Sequence, residues 1–332
     1  MKRRFYFTFF ILISFIAVWA HPLMAQNAID RLATPAGSIQ DYQLAIEEIV
    51  DQGQTGIPEL VNFIEAQPRA RDANTLKQDW DAKVTAMNLL GEFRSEDSLD
   101  VLENMLMNTD NLSAINNSAR TIGRIGGKRA LSILKNVLVS CNQGTLSICE
   151  YRKRAAIVGL GLCGNPDAVP LLKAELTNES NDMVMRIYAA GSLGLLGVSD
   201  GFELALIGLN SDDNKVRLSS IQALGLIGDS RALSAIEVFD QPDTTYMYRS
   251  TAKLAKTQIK ASKMSTDDQV NFIYDELLQH PRTTEYIIWG TSKLKELNTP
   301  KAKESLKQLS GLTDNAFFTL RHAAFVKIKT MK

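Results

Sequence analysis

The chain has 332 residues, 45% of them hydrophobic and 22% charged, with 37 basic and 37 acidic side chains. Without its first 25 residues the balance tips slightly to acid, which argues against a nucleic-acid partner. The length would suit two ordinary domains, but a repeated pattern makes it one array with contacts between neighbours.

Residues 1–25 read as a cleaved signal peptide. Lys2, Arg3 and Arg4 precede an apolar run from Phe5 to Ala20, and Leu23-Met24-Ala25 offers a signal-peptidase site. A retained membrane anchor is the alternative, although the run is short for a span of about 20 residues. The expected location is periplasmic or secreted, in a bacterium, with no transmembrane span once the signal is removed.

Residues 26–80 form an N-terminal capping repeat and a connection. Asp41 to Val50 and Ile57 to Ile64 are the first helical pair, and Gln67 to Asp79 lacks an apolar period, so it reads as a long connection that Trp80 anchors.

Residues 81–245 hold the core repeats. The clearest runs from Val216 to Phe239, where Val216, Ile221, Ala223, Leu224 and Ile227 make one helical face. Gly228 stops that helix, Asp229 and Ser230 cap the next, and Ala232, Leu233, Ile236 and Val238 begin a second stripe. Copies of this hairpin put glycines at 91, 123, 161, 194 and 225, with steps of 32, 38, 33 and 31 residues. Such a period means a solenoid. A glycine in mid-helix costs about 1 kcal/mol relative to alanine, so its recurrence implies close approach of the next repeat. Eight residues earlier stands a cationic ladder, Lys83, Lys153, Arg186 and Arg217. Acids four residues before three of these suggest i,i+4 pairs at the helix starts.

Residues 246–332 are divergent C-terminal repeats and a cap. The stretch from Tyr246 lacks the glycine punctuation, and from Leu294 the pattern returns with Lys295 and Asn298 in place of the two glycines. Charge is divided along the chain: residues 26–244 hold 19 basic and 29 acidic side chains, residues 245–332 hold 15 and 8.

The order of arginine, alanines, Leu-Gly, two residues, Gly-Asp, alanine and a second helix resembles the HEAT repeat, in particular the short form named after phycobilisome lyases. That resemblance implies an all-α fold, a right-handed α-solenoid of about seven to eight helical hairpins plus a C-terminal capping helix. It says little about activity. Deoxyhypusine hydroxylase, an enzyme of similar repeats, holds iron with His-Glu dipeptides, and none occurs here. His280 and His322 do not make a paired metal site, and no phosphate loop or nucleophile elbow is present.

The expectation is therefore an exported, non-catalytic scaffold without a cofactor or metal, binding a protein or peptide along its curved surface. The alternative is an enzyme or enzyme subunit of the HEAT-like lyase type. Two sets of residues are singled out. Arg249, Lys253, Lys256, Lys260 and Lys263 line one face of a helix and suggest a site for an acidic partner or an anionic envelope surface, against the simpler reading of a solvated face. Cys141 and Cys149 bracket the polar connection that lengthens one repeat step to 38 residues, and an oxidising compartment would permit a disulfide between them.

Overall fold

A computed structural model describes residues 28–32, 38–68, 72–141 and 147–331, and among these the fold is all-α. The proposed signal peptide lies outside the described residues. After a helical segment at 28–32, eight helical hairpins follow one another. They are α1 (Ile39–Gln52) with α2 (Ile57–Glu65), α3 (Ala73–Phe93) with α4 (Leu99–Asn108), α5 (Leu112–Ile125) with α6 (Gly127–Cys141), and α7 (Ser147–Leu162) with α8 (Ala168–Thr177). Then come α9 (Met183–Leu195) with α10 (Phe202–Gly208), α11 (Asn214–Ile227) with α12 (Leu233–Glu237), α13 (Tyr246–Ala261) with α14 (Thr266–Gln279), and α15 (Thr284–Leu297) with α16 (Pro300–Ser310). A last helix, α17 (Phe318–Lys329), closes the chain.

Local chemistry sets the boundaries. Ser38 and Asp41 form a capping box at the start of α1, and Asp182 and Asp213 cap α9 and α11 with their side chains. Gly228 ends α11 in the left-handed region at φ +71°, where a side chain would be strained. The connection expected over 67–79 is shorter than that. Asp72 caps Asn74 and Thr75, so α3 begins at Ala73, and Trp80 lies within the helix, half-buried against the core. A capping box compensates there for the missing apolar period.

The first helices of successive hairpins, α3 to α13 in alternate steps, pack side by side, while the second helices barely meet. The repeat glycines explain the closeness. A Cβ on Gly194 would stand 2.7 Å from the backbone nitrogen of Ile227 in the next repeat, so only hydrogen fits. One row packed tightly and the other splayed makes the array curve strongly, with the first helices on the inside.

The curvature brings the end of the chain back to its beginning. Helix α17 packs on α1, and Val326 is buried in the same core cluster as Ile46, Leu90 and Leu134. His322 Nδ1 lies 3.0 Å from Glu47 Oε1, and Lys329 Nζ lies 2.6 Å from Asp51 Oδ1. Lys295 Nζ is 2.9 Å from Glu92 Oε2, and Lys327 pairs with the other oxygen of the same carboxylate. An elongated array with neighbour contacts alone is therefore not what forms: the solenoid closes on itself.

Candidate functional site

The cationic ladder has a structural task. Lys83 Nζ donates to the carbonyls of Phe63 at 3.0 Å and Ile64 at 2.6 Å, and to that of Ala66. Arg186 Nε donates to Leu176 O at 2.9 Å and Arg217 to Ser211 O, whereas Lys153 turns to side chains, Glu175 Oε2 at 2.8 Å and Asn181 Oδ1 at 2.9 Å. Lys83 and Arg186 cover carbonyls at the end of the preceding hairpin's second helix, and Arg217 covers one just past it. In α9 and α11 the acids expected as i,i+4 partners act as N-caps instead: Asp182 accepts from Met185 N at 2.7 Å and Asp213 from Lys215 N at 2.7 Å.

The basic stripe on α13 is only partly open. Lys256 pairs with Glu237 at 2.6 Å and Asp240 at 2.7 Å, with its side chain 16% exposed. Lys253 Nζ is 3.9 Å from Asp240, and Arg249 donates to Pro242 O at 3.1 Å. These three hold α13 against the end of α12 and the segment after it. Lys260 and Lys263 remain exposed.

Cys141 and Cys149 are free thiols, so the disulfide expected from the sequence is not formed. They are nonetheless neighbours. Burial, together with a hydrogen bond that the Cys141 thiol gives to the Cys149 sulfur, pushes the Cys141 thiol up to about 11. The intervening residues 142–146 lie outside the described ones.

The inner face presents a different chemistry. On α5 the exposed or half-buried residues Ser113, Asn116, Asn117, Arg120 and Arg124 recur every three or four positions, opposite the buried Ile115, Ala119 and Ile122 that pack outwards. Arg124 donates to Asn88 Oδ1 of α3 at 3.2 Å, and Asn88 donates to Asn117 Oδ1 at 3.4 Å. Arg120 makes no hydrogen bond or ion pair with a described residue. Its guanidinium is pulled below the ordinary range by the surrounding protein and by Arg124, with Tyr188 of α9 opposing the shift. Solvent reaches this side chain, yet protein stands around it, as expected for a group on a concave wall.

Sequence reasoning missed Arg120. The signal was available in the repeat register, because three residues before the repeat glycines stand Asn88, Arg120, Val158, Gly191 and Gln222. Only one of these is charged. Among the described residues no group of three or more His, Cys, Asp and Glu side chains could hold a metal ion, and no helix is long and apolar enough to cross a membrane.

Residues 73–146 match the family model described as HEAT repeats, in line with the resemblance read from the sequence. No curated protein matches the chain. Among solved structures, it is similar to human deoxyhypusine hydroxylase in complex with glycerol, with 15% identity, 74% of this chain and 99% of that chain covered, and a TM-score of 0.33. The expectation that the chain is not an enzyme is corrected here, because a HEAT-type solved chain similar to it is itself an enzyme. At that TM-score the likeness transfers no activity to this chain.

Proposed function

We propose that this is an exported HEAT-repeat protein that binds a protein or peptide partner along the inner face of its closed solenoid. The observation that supports it is the polar, partly uncompensated wall formed by α3 and α5, with Asn88, Asn116, Asn117, Arg120 and Arg124 turned away from the core. Of these, Asn116 and Arg120 make no hydrogen bond with a described residue, and they offer theirs to an incoming chain. The basic stripe on α13 is the weaker candidate surface, since Arg249, Lys253 and Lys256 are engaged within the protein.

The export part of this reading is supported by the basic start, the apolar run and the small residue at Ala25. N-terminal sequencing of protein from the cell envelope tests it, with Gln26 as the expected first residue. The binding surface is tested with a photo-crosslinking residue placed at Asn116 on the inner face or at Lys135 on the outer helix α6. The same partner should be recovered from position 116 and not from position 135. Equal recovery from both would remove the inner face from the proposal.

A further inference from the structure

We propose that Arg120 and Arg124 form an anion-reading point on the inner face, and that it takes the carboxylates of an acidic peptide segment. The inference rests on the partner-binding reading above and names the chemistry of the partner.

In the neighbouring hairpins Arg152 and Arg186 are spent on backbone carbonyls, Arg154 on Asp182, Arg129 on Asp100, and Arg217 on Ser211, Asn214 and Tyr248. A guanidinium carries five donors in a rigid fork, and folding normally satisfies them. Arg120 has none of its donors engaged by a described residue, although it stands in a concave wall. Arg124, one turn later on the same face, has a single neutral acceptor in Asn88. Glu92 of α3 has both of its oxygens taken by Lys295 and Lys327. Lys327 in turn lies close enough to Arg124 to interact with it electrostatically. Positive charge therefore accumulates here beyond what the single carboxylate of Glu92 balances, and a bound oxyanion would offset it.

The ligand's form follows from the surroundings. Guanidinium forks accept carboxylate and phosphate equally well in geometry. Residues 26–244, however, carry 29 acids to 19 bases, so an extended polyanion or an anionic membrane would be repelled beyond the first contact. Beside the arginines the wall continues through Val158, Tyr151 and Tyr188, which suit the backbone and neutral side chains of a short segment. A few carboxylates set within an otherwise neutral peptide fit both conditions.

The test is a fluorescence-anisotropy titration of the mature protein with a labelled, end-capped peptide carrying four glutamates in a serine-glycine frame. Arg120→Gln, Arg124→Gln, Arg120→Lys and the outer-surface control Lys260→Gln are compared, each checked for helicity. Wild type should bind, and binding should weaken with salt because exposed charges are screened within about 10 Å at 0.1 M. Loss of one charged hydrogen-bonding group should weaken it about tenfold or more for Arg120→Gln. Arg120→Lys should retain part of the affinity and Lys260→Gln all of it. Should Arg124→Gln fail to fold, Arg120→Gln decides alone, because Arg120 bonds to no described residue of the fold. The proposal is overturned if wild type does not bind, if Arg120→Gln binds equally well, or if succinate or phosphate competes at the peptide's own concentration, which would mark a site for free oxyanions. The two readings fail separately. Absence of any crosslink from position 116 removes the partner reading, while a crosslink that persists unchanged in Arg120→Gln removes only the acidic segment.

Discussion

Lys83 is buried, yet its ammonium is not stranded, because carbonyls at the end of α2 surround it. Replacing it with methionine keeps the volume but leaves those carbonyls without a donor. Lys83→Met should cost about 1–3 kcal/mol, read as a lower denaturant midpoint with unchanged helicity. Gly194→Ala acts by a different route. Its methyl would meet Ile227 N at 2.7 Å and Cα at 2.8 Å, backbone atoms that move only with the helix. The gain of about 1 kcal/mol in helix propensity is then outweighed by overpacking of about 1–3 kcal/mol, and thermal unfolding should shift down rather than up. Both positions were legible in the sequence, because ladder and glycines recur with the repeat and the repeat is what they serve. Arg120 was not legible in that way. It interrupts the register instead of following it, and only the fold shows that its position faces inwards and lacks a partner.

At the scale of elements, the hairpins were easier to read than the links between them. Apolar faces at helical spacing report burial directly, whereas Gln67 to Asp79 has no such face and still enters α3 from Ala73. Capping by Asp72 and later burial of Trp80 set that boundary, and neither has a period. The segment between α6 and α7 posed a similar problem. It was read as a bridged loop, but the two thiols that flank it are reduced neighbours. Because burial and Cys149 hold the Cys141 thiol near 11, little thiolate exists there at pH 7, and thiolate is the reactive form. Iodoacetamide should therefore label Cys141 slowly at pH 7 and faster as the pH is raised. Mapping by mass spectrometry checks this, and labelling at the rate of a free peptide thiol would contradict the contact. The same neighbours make oxidation of the pair a proposal: protein taken from an oxidising compartment should carry one alkylated cysteine per chain.

The whole molecule explains the division of charge that the sequence displays. An acidic N-terminal part and a basic C-terminal part suggest two distant poles when the solenoid is imagined open, but in the closed form they face each other. Glu47, Asp51 and Glu92 come from the first part, and His322, Lys329, Lys295 and Lys327 from the second. Lys295 occupies the place of a repeat glycine, and where Gly225 admits a following helix it spans the closure instead. Burial alone would raise the Glu92 carboxyl, but the two ammonium groups more than reverse this and hold it at about 2. A carboxyl lowered from 4.5 contributes stability that is fully present above pH 4.5 and is lost as the pH falls towards 2. Glu92→Gln removes the carboxylate and leaves two buried cations facing each other, at a cost of about 3–5 kcal/mol. Thermal melts of this variant should accordingly lie below wild type at pH 7 and converge with it near pH 2. Closure itself has a direct chemical signature. A zero-length carbodiimide reagent joins a carboxylate to an amine only where they already touch, and Asp51 and Lys329 lie 278 positions apart in sequence but 2.6 Å apart in space. An Asp51–Lys329 crosslinked peptide should appear from dilute monomer in wild type and diminish in Glu92→Gln. An open superhelix would give none at any dose of reagent, since its first and last helices never meet.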